Sequence, residues 1–401
     1  MRVRSARLRT RPVLARAGVI LAFLLAAPVL LPGVAVAETP RDQQWWVDAL
    51  HIPAAQRIAT GRGVTVAVID SGVDSGNPVF GGRVRGGTSL LIGDADRGID
   101  RDGHGTGMAS DIGSSGGDGR PLGVAPRVGI MPIRVDVKSI SDQDRAIRYA
   151  VDHGAGVINI SQGGSGKALA SDSAALKYAF DHDVVVVAAA GNTSSGNSTV
   201  SVPANVPGVV AVSGVTESMR FWSGSAHGPE TVLAAPATNI VSVTSRQAHQ
   251  QGDYVTADGT SDAAAIVSGV AALVRSRYPG MSAANVINRL IRTARNPDGA
   301  GRNEKYGFGI VDPVRALTAD VPKVDRNPLL PAAEPSPSTS DSPAAAAGTT
   351  GSPVPWVLAG AAVLVVAVLA GVLIAVVRRR GAAARSRTVD RPSLGAPPPR
   401  A

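Results

Sequence analysis

Short apolar runs rich in Val, Ile and Ala alternate along the middle of the chain with segments whose apolar positions recur at helical spacing. VTVAVID, ending at Asp70, VINIS, ending at Ser161, DVVVVAAAGN, ending at Asn192, and GVVAVSGV read as buried strands. Between them SDQDRAIRYAVDHG opens on Ser and Asp, carries apolar positions at Ile147, Tyr149, Ala150 and Val151, and stops at glycine, so it predicts a helix. SAALKYAFDH predicts another. Two helical runs follow GTS, the second starting at Ser282 with Asn285, Val286, Leu290 and Ile291 in phase.

Strands that are apolar on both faces and separated by helices predict an α/β fold with a mainly parallel sheet covered on both sides. In such sheets ligand sites gather where loops leave the carboxyl ends of the strands. Asp70, Ser161 and Asn192 each stand at such an end. Each alone is an ordinary turn residue; three at one edge favour a site.

The two ends of the chain carry apolar runs of a different kind. Residues 1–37 begin with Arg2, Arg4, Arg7, Arg9, Arg11 and Arg16, continue as VILAFLLAAPVLL and close on AVA before Glu38, the order of a secretory signal cleaved after Ala37. Residues 356–377, WVLAGAAVLVVAVLAGVLIAVV, contain no charge and no proline and are long enough to cross a bilayer core of about 30 Å as a helix. Arg378, Arg379 and Arg380 follow at once, which places the tail 378–401 in the cytoplasm. Residues 321–355 turn to Pro, Ala, Ser, Thr and Gly and read as a tether that buries no core. The expected order is signal, one large extracytoplasmic domain over 38–320, tether, single span and basic tail.

The formal charge of +9 changes meaning once it is divided. Six arginines lie in residues 1–37, and seven with one aspartate lie in 378–401; the segment between carries 27 basic and 30 acidic side chains. That segment is therefore not basic, and nothing in it supports nucleic-acid binding. The chain has no cysteine, so neither disulfides nor Cys-metal sites hold the domain. No zinc motif and no phosphate-binding glycine loop is present, and no cofactor is expected. Asp94, Asp96, Asp100 and Asp102 cluster in DADRGIDRD without EF-hand spacing, so the loop reads as a solvated acidic segment and no metal is assigned.

Candidate chemistry centres on two residues. Ser261, in GTSDAAAIVSG, stands before an apolar helical run and suits either a helix cap or an activated nucleophile. A nucleophilic serine needs a base, and the base needs a partner that fixes its tautomer. Of the six histidines, His153 and His182 fall at helix ends, where a surface or dipole-compensating role is the ordinary one, and His51, His227 and His249 carry no supporting motif. His104 sits among glycines in DGHGTGMAS, where the backbone can pack tightly against another element.

VAVIDSGVD, HGTGMA, AAAGN and GTSDAAA, in that order, resemble the subtilisin-like serine proteases, and GVAP, SQGG, LAAPATNIVSV and YGFGIVDP extend the likeness over nearly the whole folded segment. The resemblance implies a three-layer αβα fold and a peptide-bond hydrolase. Its implied roles are Asp70 as orienting carboxylate, His104 as general base and acid titrating at about 6–7.5, and Ser261 as nucleophile. Asn192 becomes the side-chain donor of the oxyanion hole, and Ser161, Gln162 and Gly163 the strand edge that pairs with a polypeptide substrate. The segment RDQQWWVDALHIPAAQRIATGRG after the signal, with the tether and single span, is more narrowly similar to the mycosins, membrane-anchored proteases attached to type VII secretion systems of actinobacteria. That likeness implies a type VII membrane complex as partner, the cell membrane as location, and Trp45-Trp46 lying along the domain where a large propeptide would otherwise be. The rival reading is a protease fold that braces a secretion complex with little catalysis. Two positions depart from the family pattern: Asp262 replaces an apolar residue after the nucleophile, and Ala265 a proline. A carboxylate at 262 favours the helix start but opposes the charge that develops on a substrate oxygen.

Overall fold

A run of six residues, Thr65–Asp70, forms β1, the strand around which the sheet is assembled. The structure, a computed structural model, describes residues 38–331 except 95, 97, 137–141, 197, 249–251 and 300. The expected signal, the span 356–377 and the basic tail lie outside the described residues. Among the described residues no helix is long and apolar enough to cross a membrane.

β1 is buried from Val66 onward because Val66, Ala67, Val68 and Ile69 meet apolar neighbours on both faces. The other strands of its sheet are β2 (Thr88–Ser89), β3 (Gly129–Arg134), β4 (Val157–Ile160), β5 (Val185–Ala189), β6 (Val210–Val215) and β7 (Leu233–Pro236). They lie in the order β2-β3-β1-β4-β5-β6-β7, every pair parallel. A small antiparallel pair, β8 (Ile240–Val243) and β9 (Tyr254–Ala257), stands apart. The chain leaves β1 for β3 on one side and returns to β4 on the other, so strand order reverses beside β1, where such sheets bind ligands.

Helix α1 is Trp45–Ala49, α2 Ile52–Gln56, α3 His104–Gly113, α4 Gln143–Asp152, α5 Ala170–Asp181, α6 Thr260–Arg277, α7 Ala283–Thr293 and α8 Pro313–Thr318. α3 and α6 pack on each other and on the sheet, as do α4 and α5, which gives the central sheet its two covering layers. α6 is buried at every position from Asp262 to Val274, because its Ala and Val side chains present no polar face. The strands and helices expected at β1, β4, β5, β6, α4, α5, α6 and α7 are all present, and Ser282 caps α7 by accepting from Asn285 N–H.

β3 has no clear strand signature because Pro132 interrupts it. Pro132 is tolerated where the strand faces Gly87, just ahead of the two-residue β2. The N-terminal segment packs along the domain as the mycosin likeness implied: Trp46 is fully buried, and Trp45 Nε1 donates to Thr238 O at 2.9 Å. The Gln44 amide accepts from Leu122 N at 2.7 Å and donates to Val241 O at 3.1 Å. Residues 321–331, expected to open the tether, instead lie on the domain. Asn285 exchanges hydrogen bonds with Val324 at 2.9 Å, and Asn327 Nδ2 donates to Gly208 O at 2.9 Å. These bonds to half-buried Asn285 and from buried Asn327 end the packed unit later than composition indicates.

Candidate active site

Three strand ends and two helix starts converge at the reversal of strand order. Asp70 closes β1 with its side chain fully buried, accepting from Ser71 N–H at 2.7 Å and meeting His104 Nδ1 at 2.8 Å through the same Oδ1. Its Oδ2 is buried without a hydrogen-bond partner among the described residues. His104 is the first residue of α3, and its approach to β1 depends on glycines. Gly103 caps the helix at φ 97°, a conformation costly for other residues, and a Cβ on Gly105 would lie 2.1 Å from Gly72 O.

Asp100 fastens this corner. It is fully buried and accepts from Ser71 Oγ at 2.9 Å, Gly103 N–H at 2.9 Å, Thr106 N–H at 2.9 Å and Thr106 Oγ at 2.6 Å. Ser71 Oγ in turn accepts from Gly105 N–H at 2.9 Å, which links the Asp70 strand end to the His104 helix start. The acidic loop is thus not a solvated segment throughout. Asp94 pairs with Arg101 at 2.6 Å and with Arg134 at 2.7 Å, and those guanidinium bonds hold its carboxyl at about 2. Asp74, the other carboxylate near β1, is occupied by Arg246 at 2.8 and 2.9 Å and stands away from histidine chemistry.

Ser261 is not a cap. The capping position of α6 is Gly259, and Ser261 is the second helical residue. Its Oγ donates to Ser161 O at 2.8 Å, while Ser161 Oγ donates to Ser261 O at 2.9 Å. No hydrogen bond joins Ser261 Oγ to His104 among the described residues; rotation about χ1 releases the hydroxyl from Ser161. A buried chain fixes the helix against the sheet: Ser268 Oγ bonds Asn159 Oδ1 and Asn159 Nδ2 bonds Ser161 Oγ, each at 2.9 Å. Asn192 is oriented by Thr260, whose N–H and hydroxyl both lie 3.0 Å from Asn192 Oδ1. With its oxygen engaged, the amide nitrogen is left without a hydrogen bond among the described residues, and Asn192 lines the cleft.

That cleft, about 350 Å³, is bordered by His104, Ser261, Asn192, Ser161, Gln162 and Gly163. The backbone N–H and C=O of Gly163 make no hydrogen bond among the described residues, so this edge is open to an added strand. Gly163 must lack a Cβ, which would meet Val202 O at 2.6 Å. The Gln162 amide is buried without a partner among the described residues. All seven residues singled out in the sequence therefore border one cleft or, as Asp70 does, support it. His153 and His182 do as expected at helix ends, each meeting a tyrosine carbonyl at 2.8 Å.

Asp262 differs from expectation. It is 3 % exposed and lies close enough to a second buried carboxyl, Asp111, for each to act on the other's charge; Asp111 Oδ2 has no hydrogen-bond partner among the described residues. Burial raises both carboxyls; Asp111 goes well above the ordinary range, and Asp262 reaches about 6, with the positive field of His104 restraining it. Burial works against a charged His104, but the Asp70 charge and hydrogen bond, then the charges of Asp262 and Asp102, overcome it and raise the imidazole to about 9. This is above the 6–7.5 that the family pattern implied, because three carboxylates act on the ring. The sequence pattern gives no role to Asp111 or Thr260 and reads Asp100 only as part of a solvated acidic loop. Asp111 had a signal: it lies seven residues after His104, on the same face of a helix otherwise made of small and apolar residues.

The parallel sheet, the imidazole on a buried carboxylate and the serine at the head of a buried helix define a serine peptidase of subtilisin-like architecture. The chain belongs to the subtilase family: the peptidase S8 subtilase profile matches residues 61–309. It is a serine endopeptidase by that membership. It is similar to Mycosin-1 of Mycobacterium tuberculosis (strain ATCC 25618 / H37Rv), 35% identical over 360 residues that span 75% of this chain and 77% of that one. Subtilisin DY of Bacillus licheniformis is 36% identical over 262 residues, 63% of this chain and 90% of its own. Among solved structures, the crystal structure of MycP1 from the ESX-1 type VII secretion system superposes with a TM-score of 0.64 at 32% identity, covering 72% of this chain and 90% of that chain.

Proposed function

We propose that the protein cleaves polypeptides with Asp70, His104 and Ser261 as its catalytic triad, held outside the membrane by a single C-terminal span and working beside a type VII secretion complex. The observation that carries the catalytic part is the 2.8 Å contact between His104 Nδ1 and buried Asp70 in the cleft that also holds Ser261 and Asn192. Asp70 keeps the ring proton on Nδ1 and leaves Nε2 free to act as base. Ser261 Oγ attacks the substrate carbonyl carbon as Nε2 takes its proton. The negative oxygen of the tetrahedral intermediate is received by Asn192 Nδ2 and the Ser261 N–H at the start of α6. The C–N bond then breaks, Nε2 gives its proton to the departing amine, and water repeats the sequence on the acyl-enzyme. The substrate backbone adds along Ser161, Gln162 and Gly163.

The membrane and secretion parts rest on the apolar run 356–377, on Arg378 to Arg380 and on the names of the relatives. A second reading, a brace with little catalysis, is favoured by two features: Ser261 Oγ is bonded to Ser161 O, and His104 holds its proton up to about 9. Hydrolysis of a quenched peptide by the full-length protein, lost in Ser261→Ala, supports the peptidase. Equal, background-level signal from both proteins at pH 7 and pH 9.5 supports the brace. Protease added to intact cells is expected to remove the domain and leave a membrane stub; a domain resistant until lysis refutes the topology.

A further inference from the structure

A second pocket, about 300 Å³, shares His104, Asn192 and Ser261 with the first cleft but is not lined by Ser161, Gln162 or Gly163. Its walls include His104, Ser261, Met108, Ala257, Asp258 and Asp262. The acyl half of a substrate paired along residues 161–163 occupies the first cleft. His104 delivers its proton to the leaving amine, so the pocket between His104, α3 and β9 lies where the first residue of the leaving half must go.

The chemistry of this pocket is one-sided. Among the described residues no lysine or arginine lines it. Asp262, 3 % exposed, is one of its lining residues, and Gly259 lies close against the carboxylate: a Cβ there would lie 3.1 Å from Asp262 Oδ2. Beside it lies buried Asp111, whose Oδ1 accepts from Ser242 Oγ at 2.6 Å and whose charge acts on Asp262. Exposed Asp258 stands at the mouth with one carboxylate oxygen engaged by Asn239 N–H at 2.7 Å, and exposed Asp102 lies in the wall. The groups facing Asp262 are thus His104, Asp111, Asp258 and Asp102, and His104 is the one cation among them. Met108, Val255 and Ala257 offer apolar wall to the stem of a long side chain whose charged end reaches a carboxylate.

We propose that this pocket takes the side chain immediately following the scissile bond and that Asp262, aided by Asp258, selects lysine or arginine there. The proposal rests on the peptidase reading and deepens it to a substrate class. Ionised Asp262 attracts the cation, so the preference is present above about pH 6 and fades below it as Asp262 takes up its proton. The part contributed by exposed Asp258 weakens with salt.

The test uses the full-length protein in detergent and quenched peptides that differ only in the residue after the cleaved bond. At pH 8, kcat/KM for lysine or arginine is expected to exceed alanine by about tenfold and glutamate by more. Asp262→Asn is expected to reduce the lysine-to-glutamate ratio about tenfold, Asp258→Asn to reduce it by less and to remove its salt dependence. Asp258→Asn also serves if Asp262→Asn does not fold. A wild-type ratio within about twofold of unity, or one unchanged in both variants, overturns the preference and leaves the peptidase reading standing. So does an enzyme that reacts with a fluorophosphonate yet cleaves none of the series. A wild-type protein that neither cleaves nor reacts overturns the peptidase reading and this proposal together.

Discussion

Replacing Asp262 with asparagine removes one of the charges that hold a proton on His104 while keeping the shape of the pocket. His104 is raised to about 9, so at pH 7 about one molecule in a hundred carries the free base that Ser261 requires. Each unit by which the variant lowers that value multiplies the free-base fraction at pH 7 about tenfold. The His104 side chain is 36 % exposed, so water and salt screen the interaction, and the gain is expected at several-fold to about tenfold. The assay is kcat/KM from pH 5 to 10.5 on a peptide with alanine after the cleaved bond, which keeps pocket charge out of the comparison. In the wild type the rise is expected to be centred near 9, and to move down with added salt. In Asp262→Asn the midpoint moves toward the ordinary histidine range, and activity at pH 7 increases. A variant whose midpoint does not move, or a wild type already on its plateau at pH 7, refutes the claim that Asp262 acts on the ring.

Further outcomes follow from the same geometry. Asp70→Asn is expected to lower kcat by about 10⁴ with little change in melting temperature, since the ring is left in the wrong tautomer; an unchanged rate would move the orienting role elsewhere. Arg246→Ala strips the buried Asp74 carboxylate of its partner. Burial raises Asp74 but the Arg246 bonds outweigh it and the net shift is downward, so its stabilisation is present above about pH 4 and lost as pH falls below. The variant is therefore expected to unfold at higher pH in an acid titration, and an unchanged acid midpoint would contradict this. Asp262 has the opposite sign: its raised pKa means stability is lost as pH rises from about 4 through 6, a decline that thermal melts should show reduced in Asp262→Asn. Asp100→Ala leaves the Ser71 hydroxyl and the Gly103 and Thr106 N–H groups without their acceptor. A loss of about 2–4 kcal/mol in denaturant unfolding is expected, with kcat falling as His104 loses its anchorage; full activity at normal stability would refute that role.

Much of the frame was readable because apolar periodicity is local. Val66–Ile69 and Val185–Ala189 are buried on both faces and declare it by continuous apolar sequence. β3 hid behind Pro132, and the tether boundary behind a composition shift that begins before packing ends. The triad positions were legible through glycine-rich surroundings and motif order. What supports them was not, because it depends on encounters across distance. Asp111 matters because Ser242 bonds it and Asp262 acts on it from other elements, and Asp100 matters because Ser71, Gly103 and Thr106 all donate to its carboxylate. An aspartate in a loop and an aspartate at the hub of a buried network have the same letter. The carboxylate after Ser261 could be flagged as unusual, but its direction, toward the leaving-group side and Asp111, needed coordinates.

The central claim is that Ser261 is a nucleophile activated by His104. The most direct measurement is mass spectrometry of the full-length protein after exposure to a fluorophosphonate, which forms an Oγ–P bond with loss of fluoride. The account predicts a single phosphonyl adduct on the peptide containing Ser261, formed faster at pH 9.5 than at pH 7, and absent in Ser261→Ala and His104→Ala. An unlabelled Ser261 at both pH values, or labelling undiminished by His104→Ala, would contradict it.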